Sequence, residues 1–315
     1  MKWIKKGRII TPSDLGIMQW GDQTHTQIPI PYILDNGNIR MFFSIRKDGR
    51  SLPTYIDLDK NTLKIVEVNM NPLMELGKRG AFDEFGVMPT DIIKVDKELW
   101  MYYVGWQIGI SVSYTLAVGL AISSDNGKTF RRAFEGPILG RTKSEPYMTM
   151  SPYLYKDKDI WHMFYASGMG FIKETGRYEP RYLIMSATSK NGIDWERNGQ
   201  VNITGKTVEE SNTRPTIIKI GDKYHMWFCY RGGHCFRNGE NSYQIGYAWS
   251  KDLQSWSRDD EKAGIYHGLD GEWDEKMMAY PYVKKINEKY YMFYNGNGFG
   301  QSGIGYAIYD LGEDN

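Results

Sequence analysis

Acidic side chains that could donate or accept protons recur along the chain near the start of short β-rich runs. Asp91 lies inside one such run, and Glu145, Glu210 and Glu275 lie in the segments that precede three others. Glycosidic bond cleavage commonly uses two carboxyl groups roughly 5–10 Å apart, one as acid and one as base or nucleophile. These residues are therefore the candidate catalytic carboxylates, and the sequence assigns no particular role to any of them.

A second set of side chains could bind a substrate without reacting with it. Aromatic faces suit a sugar ring, amides suit hydroxyl groups, and the forked guanidinium group suits carboxylate or phosphate. The predicted substrate-binding residues are Arg46, Trp106, Arg214, Arg231, His234, Tyr280, Asn295 and Asn297. Because three arginines are many for a neutral sugar, the set favours a substrate with an anionic group. The alternative is that each arginine pairs with a neighbouring Asp or Glu.

No pattern in the sequence indicates a metal ion or a cofactor. The five histidines show no spacing typical of a metal pair, and the two cysteines, Cys229 and Cys235, cannot form a disulfide framework. The glycine-rich stretch 295–300 opens no predicted helix, unlike a nucleotide-binding loop. We therefore expect no metal ion and no cofactor.

A repeated segment must position these side chains. A methionine followed by two aromatic residues ends a β-rich hairpin five times, at Met41, Met101, Met163, Met226 and Met292, with spacings of 60, 62, 63 and 66 residues. Each segment begins with a proline, which in the first segment is Pro31. A fixed period of this length is typical of a β-propeller or another repeat array.

Each repeat continues with a third β-rich run, and most add a fourth that an aromatic residue leads. The last repeat ends after its third run, while residues 3–9 at the start of the chain match the fourth run of the third repeat, 195–201. An N-terminal strand would therefore complete the last sheet and leave no open edge. The prediction is an all-β, five-bladed β-propeller forming a single domain over residues 1–315. The predicted blades cover about 28–70, 87–135, 148–203, 212–260, and 278–310 together with 3–10.

Propeller geometry brings the candidate residues to one place. The start of each first strand and the end of each second strand lie at the same mouth of the central channel, where a concave ligand site is expected. The aligned positions before the first strands are Ile30, Pro89, Ser151, Arg214 and Tyr280, and those after the second strands are Arg46, Trp106, Gly168, Arg231 and Asn297. The loop that enters the first repeat adds Asp22, His25 and Gln27.

Composition narrows the class of partner. The formal net charge of +1 gives no general attraction for nucleic acid or for an anionic membrane. No apolar run approaches the ~20 residues that span a bilayer, and no signal peptide is recognisable. The expected partner is a small-molecule or oligosaccharide substrate, the expected compartment is the cytoplasm, and the sequence leaves the oligomeric state open.

The repeat pattern resembles the five-bladed propeller glycosidases: glycoside hydrolase family 43, the invertase and levansucrase families 32 and 68, and the mannoside phosphorylase family 130. The segment Val87-Met-Pro-Thr-Asp91 is similar to the start of the second blade in family 43. That resemblance implies a sugar-active site with an Asp base, a second Asp that tunes a pKa, and a Glu acid. At the acidic positions that the family has in the first, third and fourth blades, this sequence has Ile30, Ser151, and Thr213 or Arg214, so the usual carboxylates are absent from their standard positions.

Three functional hypotheses follow. The leading one is a glycosidase or glycoside phosphorylase that acts on a small, anionic sugar conjugate at the mouth of the channel. The second is a sugar-binding propeller without catalytic activity, which the missing carboxylates favour. The third is a transferase or lyase acting on an acidic or nucleotide-linked sugar, with arginines holding the anion.

Overall fold

The computed structural model describes residues 2–15, 23–174, 176–237 and 239–309, and Asp22 lies outside them. Nearly all regular structure in this part of the chain is strand, and its helical segments are short turns at Pro12–Leu15, Asp260–Ala263 and Asn297–Gly300. None of these turns has the length and apolar character that crossing a bilayer requires.

The strands fall into groups that follow the sequence repeats. In chain order they are β1 Ile4–Ile10; β2 His25–Ile33, β3 Ile39–Lys47, β4 Arg50–Leu58 and β5 Ile65–Val68; β6 Gly86–Val95, β7 Glu98–Ile108, β8 Tyr114–Ser123 and β9 Arg131–Arg132; β10 Thr149–Asp157, β11 Ile160–Glu174, β12 Arg177–Ser189 and β13 Glu196–Ile203; β14 Ser211–Ile220, β15 Lys223–Arg231, β16 Gln244–Ser250 and β17 Ser257–Arg258; β18 Ala279–Ile286, β19 Lys289–Asn295 and β20 Ile304–Tyr309.

Within each group, consecutive strands pair antiparallel. The sheets are β10 to β13, β14 to β17, and β18 to β20 with β1 at the outer edge. The groups β2 to β5 and β6 to β9 share one longer sheet through a single parallel bridge between Ser51 and Gly86. The N-terminal strand β1 pairs antiparallel with β20, with Ile4 opposite Ile308, so the first and last strands described lie in one sheet, as the sequence match predicts.

The repeat methionines and the aromatic residues after them explain why these sheets pack. Met41, Met101, Met163, Met226 and Met292 are completely buried, as are the aromatic residues that directly follow them. Because side chains alternate across a strand, successive residues of this run contact the neighbouring sheets on both sides. The repeated residues therefore pack the sheets against one another, and the residues that vary between repeats lie at other positions.

The first strand of every group contains a register shift near the mouth of the channel. In four of them the shifted residue has a positive φ angle: Ile28 (61°), Ser151 (52°), Arg214 (55°) and Tyr280 (56°). The position predicted for the first repeat, Ile30, is thus wrong by two residues, and Pro29 replaces Pro31 as the equivalent proline. The reason is a longer first hairpin turn, since Ile33 pairs with Ile39 whereas Val95 pairs with Glu98 in the second group.

Candidate functional site

A pocket of about 320 Å³ opens where the first strands begin and the second strands end. The first strands contribute Gln27 and Ile28 of β2, Met88 of β6, Met150 and Ser151 of β10, Thr213 of β14 and Tyr280 of β18. The rest of the wall consists of Arg46, Val104, Trp106, Ser113, Tyr114, Leu116, Arg177, Tyr182, Phe236, Arg237, Tyr243 and Phe299. The pocket therefore lies at the mouth that the repeat geometry predicts.

Three of the eight predicted substrate-binding residues line this pocket: Arg46, Trp106 and Tyr280. The Arg46 guanidinium lies 5.7 Å from the centre of the Trp106 ring, and its Nε donates to Ser51 Oγ at 3.3 Å. No ion pair joins Arg46 to any described carboxylate, so its charge remains available to a ligand. Burial, with a smaller effect of Arg46, lowers the pKa of the neighbouring His25 to about 4.

Two further arginines complete the cationic wall. Arg177 begins β12, and Arg237 lies in the segment between β15 and β16. Both bind the buried carboxylate of Glu179: Arg177 Nε lies 2.6 Å from it, and Arg237 donates two bonds of 2.7 and 2.9 Å. The two guanidinium groups hold the pKa of Glu179 below its ordinary value, against the effect of burial. One carboxylate thus fixes two arginines at the pocket.

Arg231, which was predicted to bind substrate, lies behind the pocket wall. It is buried and donates to the carbonyl oxygens of Pro180 at 2.7 Å and Gly232 at 2.8 Å. Its guanidinium stacks 3.7 Å from the centre of the Phe236 ring. These contacts support the wall from behind, and Phe236 is the side chain that faces the pocket.

Asp91 and Arg214 lie deeper in the channel and are outside the pocket lining. Asp91 has the same position in its first strand as Tyr153 and Tyr282 have in theirs, and it follows the pocket-lining Met88 by three residues along β6. Its carboxylate accepts from Tyr282 Oη at 2.8 Å and from the Leu154 amide at 2.7 Å. Burial raises the pKa of Asp91, while the Leu154 amide and Arg214 oppose that shift.

Glu145 and Glu210 each lie in the segment just before a first strand, and neither lines the pocket. Glu145 accepts from Tyr165 Oη at 3.0 Å and lies 3.3 Å from Arg197, and Glu210 pairs with Arg258 at 2.6 Å. The same arrangement of a carboxylate, a second-strand tyrosine and an outer-strand cation recurs as Asp83–Tyr103–Arg132 and Asp274–Tyr294–Lys5. Its repetition in several sheets favours a structural role, in which the carboxylate ties the loop to the sheet.

The side chains of the remaining predicted residues also bind other groups of the protein. Glu275 lies 3.5 Å from Lys276 and accepts from the Gly271 amide, and Asn297 caps the loop amides of residues 276 and 277. Asn295 is buried and bonds the backbone of β2 through both its amide atoms. His234 is placed between Glu174 and Glu209, and the bond to Glu174 raises its pKa. None of these side chains lines the pocket.

The sequence analysis missed Arg177 and Arg237, together with the aromatic residues Tyr114, Tyr182 and Phe236. Arg177 lies at the tip of the hairpin formed by β11 and β12, which at 15 and 13 residues are the longest strands described. A repeat alignment has no equivalent positions for such an extension. The unusual length of this hairpin is the signal that could have drawn attention to its tip. Among the described residues, no group of three or more His, Cys, Asp or Glu side chains is arranged to hold a metal ion.

Comparison with known proteins places the chain among relatives of two kinds. Uncharacterized protein MT1551 of Mycobacterium tuberculosis (strain CDC 1551 / Oshkosh) is 30% identical over 313 residues, covering 98% of this chain and 99% of that protein. The β-1,2-mannobiose phosphorylase of Thermoanaerobacter sp. (strain X514) is 30% identical over 168 residues, covering 50% of this chain and 51% of the enzyme. No protein-family model matches the sequence.

Solved structures of carbohydrate-active enzymes share the fold. One, described as a glycoside hydrolase, superposes with a TM-score of 0.72 at 20% identity, covering 99% of this chain and 94% of its own. The likeness thus extends over the whole architecture, and the resemblance inferred from the repeats is confirmed at the level of the fold.

Proposed function

Because the chain belongs to the family of the mycobacterial protein MT1551 and has the fold of a propeller glycoside hydrolase, we propose that it binds a small anionic sugar in the mouth pocket and acts on its glycosidic bond. We take the five strand groups to be five blades around this pocket. The observation that carries the proposal is the pocket wall, which contains three arginines and, among its described residues, no aspartate or glutamate.

The charge of the wall favours an anion over a neutral sugar. Arg46, Arg177 and Arg237 contribute three positive charges, and the adjacent Glu179 contributes one negative charge, which leaves +2. Arginine stays protonated at neutral pH and presents paired N–H groups that match the oxygens of phosphate or carboxylate. A ligand with one phosphate group would balance most of the charge that the wall carries, and one with a carboxylate would balance half of it.

The shape and the aromatic lining favour a sugar. Trp106 and Tyr280 line the pocket with ring faces that can pack against the apolar face of a pyranose, and Tyr114, Tyr182 and Tyr243 add hydroxyl groups. A volume of about 320 Å³ lies at the lower end of the range for ligand pockets. It suits a monosaccharide with one anionic substituent better than a long oligosaccharide.

Among reactions on glycosides, phosphorolysis fits this wall best. Here an oxygen of inorganic phosphate attacks the anomeric carbon, the glycosidic C–O bond breaks, and an acid gives a proton to the departing oxygen. The arginines would hold the inorganic phosphate, and the anionic sugar that they recognise is then the sugar 1-phosphate product. A single carboxyl group suffices for this reaction, whereas ordinary glycosidases use two. Asp91 is the proposed acid, because burial in the channel raises its pKa and favours the protonated form. Since Asp91 lies below the pocket floor, the proton would reach the departing oxygen through a water molecule.

A second candidate function is binding without catalysis. It is favoured by the position of the four candidate carboxylates, since Asp91, Glu145, Glu210 and Glu275 all lie outside the pocket lining. In this case the protein would recognise an anionic sugar and release it unchanged. The same arginines and aromatic rings would serve both functions, so turnover distinguishes them.

The proposal predicts phosphate-dependent turnover. We expect the protein, incubated with β-1,2-mannobiose or a panel of other disaccharides and inorganic phosphate, to release a sugar 1-phosphate, and to release none without phosphate. Thermal-shift measurements in parallel should show stabilisation by sugar phosphates or uronic acids and little by the matching neutral sugars. Stabilisation without turnover would support the binding function. If none of the anionic sugars stabilises the protein, the proposal is contradicted.

A further inference from the structure

A buried guanidinium group below the pocket floor lacks partners for two of its nitrogen atoms. Arg214 is completely buried, and its Nη2 makes one long bond of 3.4 Å to the carbonyl oxygen of Pro29. Its Nε and Nη1 atoms are buried and donate to no atom of the described protein. Because arginine stays protonated, the charge cannot be removed by titration, and an uncompensated buried charge costs several kcal/mol.

The carboxylate closest in the channel does not neutralise this charge directly. Asp91 and Arg214 attract each other through space, yet they are too far apart to form an ion pair. Both oxygens of Asp91 already accept hydrogen bonds, from Tyr282 Oη and from the Leu154 amide. The hydrogen-bonding capacity of Asp91 is therefore used by other groups, and Arg214 must find its counter-charge elsewhere.

The balance of charge in the channel also leaves room for an anion. Arg214 and the half-buried Lys284 are the cations that face Asp91, so two positive charges meet at most one negative charge, which leaves +1 when Asp91 is ionised and +2 when it is protonated. The other groups that face Arg214 are Tyr282, Tyr153 and Cys229, and burial raises the pKa of all three, which keeps them uncharged. With Asp91 ionised, a monovalent anion would restore neutrality.

The surroundings indicate where this anion would bind. The Tyr282 ring centre lies 5.3 Å from the Arg214 guanidinium. Residues of the four other strand groups lie around this guanidinium group. The hydroxyl of the adjacent Thr213 is a second buried donor without a partner. We infer that a single halide ion, chloride under ordinary conditions, binds in the channel beside Arg214, within hydrogen-bonding distance of Nε or Nη1. This site lies below the sugar pocket, with Thr213 between the two, and would hold the floor of the pocket in place.

Ion-specific stability tests the inference in solution. We expect the free energy of unfolding in urea to be higher in sodium chloride than in sodium gluconate of equal ionic strength. Above the dissociation constant, each tenfold increase in chloride should raise the folding equilibrium constant about tenfold. Arg214→Met should abolish this dependence. Arg40→Met is the matched control, because Arg40 is buried but fully paired with Asp57 through bonds of 2.8 and 2.7 Å, so it should lose stability and keep the chloride dependence.

Diffraction from bromide-soaked crystals of the unaltered protein provides the second test, which does not require Arg214→Met to fold. We expect an anomalous peak beside the Arg214 guanidinium. Equal stability in chloride and gluconate, or water in place of the bromide peak, would overturn the inference. Binding of a sugar phosphate is measured separately at the pocket arginines, so failure of the halide site and failure of the proposed function are distinguishable.

Discussion

Arg46→Gln is expected to weaken binding of mannose 1-phosphate by roughly tenfold to a hundredfold. The side chain lines the pocket, and no described carboxylate pairs with it, so its charge-assisted bonds would go to the ligand. Such bonds contribute about 1.5–3 kcal/mol each, and 1.4 kcal/mol corresponds to a tenfold change in the dissociation constant. Isothermal titration calorimetry with mannose 1-phosphate and with mannose measures the effect, which should be confined to the phosphate.

Arg131→Gln is the matched control for this substitution, because Arg131 is an exposed arginine of β9 and lies outside the pocket. It should bind mannose 1-phosphate as the unaltered protein does. A structural readout accompanies the affinity: removing the Arg46 charge should raise the pKa of His25 from about 4, as followed by NMR titration. Unchanged affinity together with a raised His25 pKa would show that Arg46 does not contact the anion.

Glu145→Gln is expected to lower the free energy of unfolding by about 3 kcal/mol, because it leaves the charge of Arg197 without its partner in a buried site. The hydroxyl groups of Tyr165 and Ser167 would also lose a charged acceptor. Urea denaturation measures the loss. If the role of Glu145 is structural, the folded variant should retain its affinity for mannose 1-phosphate and its turnover.

The exposed carboxylate of Glu135 offers a matched comparison. It pairs with Lys78 at 3.2 Å, and both side chains are about four-fifths exposed. Glu135→Gln should therefore change stability by less than about 1 kcal/mol. A Glu145→Gln variant that is as stable as the Glu135→Gln variant but has lost turnover would return Glu145 to the catalytic candidates.

The sequence predicted the architecture well because the packing pattern repeats. The buried methionine and its two aromatic neighbours recur in all five segments, and Trp3 at the start of the chain packs against Trp227 and Tyr309. Such side chains face similar surroundings in every sheet, so one repeat informs the next. Arg46, Trp106 and Tyr280 were found by the same reasoning, since strand ends define the mouth.

The parts of the site that differ between repeats were harder to predict. Arg177 lies at the tip of the longest hairpin described, Arg237 lies in the long segment between β15 and β16, and Glu179, which binds both of them, lies inside a strand. For Glu145, the sequence suggested a catalytic role that its contacts in the structure do not favour. A conspicuous acidic residue near the mouth looks catalytic in a sequence, and only three-dimensional contacts reveal that Tyr165 and Arg197 already occupy it.

The crystal structure of a complex with mannose 1-phosphate tests the central idea, a cationic sugar pocket, most directly. We predict phosphate oxygens about 3 Å from guanidinium nitrogens of Arg46, Arg177 or Arg237, with the sugar ring against Trp106. A complex in which the phosphate lies away from all three arginines, or in which the pocket stays empty while the ligand binds elsewhere, would contradict the account.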